Sequence, residues 1–181
     1  MILTRAASCE AARVADRVRL VPLDRPHLAR TREWASDPHL MQLMNRLRPV
    51  TAAEHEAWFA SVVPGDDCAY FAIETVDEGA HIGNVWLWAI DQRHRKAELR
   101  VVIGDAAARG RGMGAEAIDR LCRHAFDTLG LHRIYAHVLS INPAARLAFE
   151  RAGFAFEGTL RDDRWAGGGF VDVHVLARVK A

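Results

Sequence analysis

The stretch Arg109-Gly-Arg-Gly-Met-Gly114 constrains this chain more than any other. Residues 97–104 ahead of it form an apolar run that reads as a strand. Behind it, Ala117, Ile118, Leu121, Cys122, Ala125, Phe126 and Leu129 keep the i, i+3, i+4 spacing of an amphipathic helix over 112–129. Read along the whole chain, the order β-α-α-β-β-β-α-β-α-β-β is that of an α/β sheet with both faces covered, although by itself the glycine turn also fits a plain strand-to-helix connection. Glycines let the backbone turn tightly and present its N–H groups inward. With the positive end of the helix dipole those donors form an anion cradle, and Arg109 and Arg111 add charge suited to phosphate. The turn lacks the Lys-Ser/Thr of a triphosphate loop, and it does not follow a first strand as a dinucleotide fingerprint does.

The rest of the chain agrees with that class. Residues 17–23 alternate as a first strand. Asp24 with Pro26 opens a helix to about Ser36, and a short helical piece covers 40–45. Thr51 and Glu54 have the spacing of a capping box ahead of a helix to about Val62, and Pro64 to Asp67 reads as a turn. Three strands follow over 69–76, 80–90 and 97–104; a fifth covers 131–140. Asn142-Pro143 starts a helix that Gly153 closes, and strands over 154–161 and 170–178 flank an Ala-Gly-Gly-Gly turn. The expected architecture is one domain over 17–181, a mixed sheet of about seven strands with helices on both faces, behind an Ala/Arg-rich extension over 1–16.

Composition narrows the function classes. Lys plus Arg is 24 against 23 acids, a balance without the basic excess of a nucleic-acid binder. No apolar run is long enough for a membrane span, and the first residues lack the apolar centre of a signal peptide. Cys9, Cys68 and Cys122 are too scattered for a disulfide framework or a Cys-x-x-Cys pair, which points to a reduced, cytoplasmic protein. The nine histidines show no metal-ligand spacing, so no metal is expected.

Several motifs in order carry a resemblance. Arg109-x-x-Gly112-x-Gly114 after Glu98-Leu-Arg-Val-Val-Ile103 resembles the pyrophosphate loop of the GNAT superfamily of acetyl-CoA-dependent N-acetyltransferases. Asn142 through Gly153-Phe154 resembles that superfamily's Asn…Gly-Phe helix. Glu157-Gly-Thr-Leu-Arg161 resembles the E-G-x-L-R run of the branch that holds ribosomal-protein alanine, spermidine and amino-sugar acetyltransferases. His94-Arg-Lys-Ala-Glu98 and Ala125-Phe126-x-x-Leu129 are similar to it too. The likeness covers about 17–179 and is sharpest over 81–175.

The resemblance implies acetyl-CoA as co-substrate. Val102 and Ile103 would offer backbone amides to the pantetheine and thioester. Arg109, Gly110, Arg111, Gly112, Met113 and Gly114 would hold the pyrophosphate, and Asn142 would touch the cofactor near its cysteamine end. Asn142 also fits a plain helix cap. Arg146 and Arg151 could reach the adenosine phosphates.

A free amine attacks a thioester directly, but lysine-like amines are protonated below ~10.4, so the site must accept a proton. Glu98 is the candidate base, its carboxylate set among apolar neighbours; an ion pair with Arg93, Arg95 or Lys96 is the other reading. The Val102 amide would stabilise the oxyanion. Phe149 and Ala145 stand where relatives place a Tyr or Ser to protonate the leaving sulfur, leaving Ser140, Tyr135 or water for that role.

For the acceptor, Trp34, Met41 and Trp86, with Met44 and Trp88, are the candidate cleft residues. Glu33, Asp37 and Glu54 are the acids available to a polyamine, and they are not clustered. A peptide or protein N-terminal amine ranks first, an amino sugar second and a polyamine third. A catalytically weak acetyl-CoA sensor is the alternative of another class. Neither nucleic acid nor membrane is an expected partner, and the expected state is a monomer or homodimer.

Overall fold

The computed structural model describes residues 16–62 and 67–180. The expected 1–16 extension except Asp16, with Cys9 in it, and all of the expected Pro64–Asp67 turn except Asp67 lie outside the described residues.

Local signals set most of the elements. Strand β1 (Val18–Pro22) leads to Asp24, whose side chain accepts from Arg25 N and caps a 3-10 turn (Arg25–His27). Helix α1 (Leu28–Ala35) continues from that turn, so the helix expected over 24–36 has a tighter first turn. Asp37 accepts from Leu40 N at 2.8 Å and caps α2 (Pro38–Leu43), with Pro38 in the first turn where no N–H is needed. The capping box before α3 (Ala52–Val62) is formed in both directions. Glu54 N donates to Thr51 Oγ1 at 3.2 Å, and Thr51 N donates to Glu54 Oε2 at 2.9 Å. Arg48 hydrogen-bonds the same Glu54 carboxylate and, with Thr51, holds its pKa down to about 2.

Strands β2 (Ala69–Thr75), β3 (His81–Asp91) and β4 (Lys96–Ile103) form an antiparallel meander. Helix α4 (Met113–Asp127) crosses back to β5 (Arg133–Leu139), which pairs parallel to β4, the pairing that requires a crossover. Helix α5 (Pro143–Arg151) then leads to the hairpin of β6 (Ala155–Ala166) and β7 (Gly169–Val179). Gly167 and Gly168 both sit at positive φ, as a two-residue hairpin turn needs. Strand β6 runs past the expected end at 161, with register shifts that carry the polar Arg161–Arg164 segment along the sheet edge. The seven strands order as β1-β2-β3-β4-β5-β7-β6.

The two sheet faces are covered unequally. Ile73, Val85, Leu87 and Leu99 join Ile118, Leu121, Cys122 and Phe149 in the main core under α4 and α5. On the opposite face the buried cluster is smaller, Ala72 with Leu23, Leu28 and Phe59, flanked by the partly buried Val21, Trp58 and Tyr70. That smaller core leaves space between the sheet and the first three helices. Burial pushes the Cys122 thiol up to about 12, which makes it a core side chain with no reactivity.

Glu116, in the first turn of α4, accepts from Arg17 N (2.9 Å) and Val18 N (3.1 Å) and so fixes the start of β1. Gly104, just past β4, lies against the Trp34 ring; a Cβ there would come 1.9 Å from Trp34 Cδ2. Gly104→Ala should therefore lower stability by about 1–3 kcal/mol through overpacking. The denaturation midpoint checks this, and an unchanged midpoint would contradict the close contact.

Candidate active site

Ladder phase decides what β4 exposes. Gly104 N donates to Ile82 O at 2.9 Å on the β3 side, and Arg133 N donates to Arg95 O at 3.1 Å on the β5 side. Backbone groups alternate sides along a strand, so even-numbered residues of β4 face β3 and odd-numbered ones face β5. Pairing with β5 stops at Glu98–Tyr135. Beyond that point the backbone groups of Val101 and Ile103 face the gap between the two strands, while those of Val102 belong to the β3 ladder opposite Asn84. The expectation for Ile103 fits this phase. The Val102 amide, expected at the thioester, lies in the β3 ladder, and the Val101 amide is the one turned to the gap.

At the end of β4 a groove of about 440 Å³ runs between the strand, the start of α4 and α5. Its lining includes Val101, Val102, Ile103, Arg109, Gly110, Gly112, Met113, Gly114 and Asn142. Gly110 and Gly112 take φ of +70° and +80°, the left-handed turn that aims the first α4 amides at the groove. The charged side chains behave differently from expectation. Arg109 turns inward, donating to Ile103 O at 2.9 Å and Gly104 O at 2.7 Å, so it braces the turn. Arg111 is exposed and absent from the lining; its carbonyl is held by the Arg17 guanidinium at 2.7 Å. Arg151 does line the groove, whereas Arg146 pairs with Glu150 at 2.8 Å. Asn142 caps α5, accepting from Ala145 N at 3.1 Å, and also faces the groove.

On the other face, Asn84, Trp86 and Trp88 of β3 stand opposite Val102, Arg100 and Glu98 of β4, with Tyr70 beside Trp86. All of these but Glu98 floor a cavity of about 380 Å³, roofed by Thr31, Trp34 and Ala35 of α1, His55, Trp58 and Ser61 of α3, and Met44, Arg46 and Val50. Tyr70 stacks on Trp86 with centroids 5.5 Å apart, and Trp58 meets Tyr70 edge-on at 5.3 Å. Asn84 Nδ2 donates to Thr31 Oγ1 at 3.1 Å, and His81 Nε2 lies 2.9 Å from Asn84 Oδ1. Since the amide oxygen must accept there, Nε2 carries a proton, and burial lowers the pKa of the ring.

Trp34 and Trp86 thus occupy the cleft as expected, joined by Met44 and Trp88. Met41 does not: it faces a hollow beside Trp165 and the β6–β7 turn, which borders the cavity at Arg46. Trp58, Tyr70, His55, Arg46 and Arg100 are cavity residues that the sequence reading misses. The i, i+3 spacing of His55 and Trp58 on α3 was the available signal. No carboxylate lines the cavity among the described residues. Asp37 and Glu54 serve as helix caps, and Glu33 is exposed.

Glu98 is 8% exposed at the point where β4 and β5 part. Its surroundings are not apolar. Arg100 Nε and Nη2 reach its two oxygens at 2.9 and 3.1 Å, and His137 Nδ1 lies 3.5 Å away. The ion-pair partner is therefore Arg100, not Arg93, Arg95 or Lys96; a residue two positions along a strand shares its face. Ser140 is exposed, gives its backbone N–H to Asp172 O at 2.9 Å and lines neither the groove nor the cavity. Phe149 is buried against Phe154 at 5.0 Å, and Ala145 lines the groove. Among the described residues the groove lining has no hydroxyl or thiol side chain, and His39 is its imidazole.

Groove and cavity share Val102 and Met44. Residues 17–155 match the acetyltransferase (GNAT) domain family. The chain belongs to the GNAT acetyltransferase family. This is an acyltransferase family whose donor is acetyl-CoA, and the glycine turn, free helix amides and apolar groove walls fit that molecule's diphosphate and pantetheine. A spermidine N(1)-acetyltransferase of Vibrio cholerae is 35% identical over 103 residues, 57% of this chain and 58% of that one. A putative ribosomal N-acetyltransferase of Bacillus subtilis is 33% identical over 91 residues, 50% of this chain and 49% of its own. The matches thus span less than two thirds of these relatives' lengths. The crystal structure of the V. cholerae spermidine N-acetyltransferase with CoA and spermine superposes with a TM-score of 0.84 at 26% identity, covering 90% of this chain and 95% of that one. A dodecameric form of that enzyme is also described. Among the described residues, no three His, Cys, Asp or Glu side chains gather as a metal site, and no helix is long and apolar enough to cross a membrane.

Proposed function

We propose that the protein transfers the acetyl group of acetyl-CoA to the primary amine of a small molecule held in the aromatic cavity. The observation that carries this reading is the meeting of groove and cavity at Val102 and Met44, beside the gap between β4 and β5. The bound donor supplies an acetyl thioester. Amides of Gly112 to Ala115 would hold its diphosphate, and those of Val101 and Ile103 would meet the pantetheine and the thioester oxygen. Donors aimed at that oxygen favour the negative charge it gains, an effect worth ~10²–10³ in rate.

The attacking amine must lose a proton. Glu98 is the proposed acceptor, but it lies four residue steps along the strand from Val102, about 13 Å at ~3.3 Å per step. Water must carry the proton between them, with Arg100 and His137 fixing the carboxylate. An alkyl thiol with a pKa of ~8.5 can leave without a side-chain acid, so the Phe149 and Ala145 positions do not bar the reaction.

The relatives' names support the polyamine alternative better than the protein N-terminus that the sequence ranks first. The cavity volume also suits a small molecule. Thiol release should be measured with acetyl-CoA and N-terminal peptides, spermidine, glucosamine and phenylalanine. Release with a small amine and not with peptides is the expected result. Stabilisation by acetyl-CoA without release from any amine would contradict the proposal and favour the sensor.

A further inference from the structure

We infer that the cavity takes an amine with an aromatic body and a carboxylate, and that Arg46 binds the carboxylate. This rests on the transferase reading above and narrows its substrate class.

Charge is the first reason. Arg46 and Arg100 line the cavity with no acid among the described lining residues. Arg100 is already matched by Glu98. Arg46 is an exposed residue whose side chain pairs with no other side chain among the described residues, and arginine stays charged at any physiological pH. An extended polycation would meet this guanidinium and find no carboxylate for its ammonium groups, a repulsion that works against it. A carboxylate would meet a planar donor fork suited to bidentate binding.

The aromatic walls point the same way. One face of Trp86 is covered by Tyr70, Arg100 lies 5.7 Å from the Trp88 ring, and Arg30 lies 5.3 Å from the Trp34 ring. Faces that already hold cations or stack are less open to a ligand ammonium. Edges and remaining faces still suit a flat apolar ring. His55 adds an independent sign of an unmet polar group: it lines the cavity, is 5% exposed, and its Nε2 lacks a hydrogen-bond partner.

Position completes the argument. Arg46 follows Met44 by two residues, and Met44 borders both groove and cavity. A carboxylate on the carbon that bears the amine would then reach Arg46 while the amine faces the thioester.

The test compares kcat/KM for L-phenylalanine, 2-phenylethylamine and spermidine in the wild type, Arg46→Gln and Arg46→Lys. The wild type should prefer phenylalanine to phenylethylamine by about tenfold or more, mostly through KM. Arg46→Gln should bring that ratio near one, and Arg46→Lys should keep part of it. Equal melting temperatures establish that all three proteins are folded. Thiol release with spermidine and none with phenylalanine would overturn this inference alone, as would a ratio unchanged in Arg46→Gln. No release from any amine would instead overturn the transferase reading beneath it.

Discussion

Gly112→Asp is expected to weaken acetyl-CoA binding by about 10²–10³-fold, because like charges brought together cost several kcal/mol. Gly112 ends the glycine turn at φ +80° and opens α4 without a side-chain cap. A carboxylate at this position would stand beside the Arg17 guanidinium, whose Nη2 lies 3.3 Å from where the Cβ would be, and would add negative charge at the helix start whose amides should hold the donor's diphosphate. Strain from the left-handed backbone is a separate effect, and Gly112→Asn separates the two. Asn tolerates this conformation better than most residues and carries no charge. Thermal stabilisation by acetyl-CoA should survive largely in Gly112→Asn and vanish in Gly112→Asp. Equal stabilisation of both variants and the wild type would remove the diphosphate from this turn.

Glu98→Gln is expected to lower kcat about 10²-fold at pH 7, the lower end of what general base catalysis contributes. The loss should shrink as pH rises, because the free amine then forms without help. Arg100 holds Glu98 through two hydrogen bonds, so the substitution also loosens Arg100 beside the cavity. A purely structural role for Glu98 predicts a different pattern, with the variant's pH–rate profile running parallel to the wild type. That outcome would send the proton by another route.

What the sequence made legible was mostly local. Thr51 with Glu54, Asp37 and Asn142 are caps, and each acts within a few residues of its own position. The α4 stripe is long enough for its period to be unambiguous, and it fixes both a core face and a crossover. The acceptor side is harder, because the cavity is assembled from helices, strands and a loop that meet only in the fold. Helix α2 has six residues, too few for a pattern to tell Met41 from Met44. Arg46 follows that helix, and nothing in its neighbours marks it as a cavity residue. The facing of the Val102 amide was hidden for another reason. Which strand lies on which side of β4 sets the direction of every amide, and composition carries no trace of it. Arg100, by contrast, was open to reading: two residues along a strand from Glu98, it must share that face, yet the charged loop over 92–96 draws attention away.

A crystal structure of the protein with acetyl-CoA tests the central claim most directly. The account predicts the diphosphate against the amides of Gly112 to Ala115 and the pantetheine along β4. The thioester oxygen should approach the amides of Val101 and Ile103, with the acetyl carbon at the Val102–Met44 mouth of the aromatic cavity. A thioester turned away from that mouth, or a donor bound elsewhere than the groove at the start of α4, would contradict it.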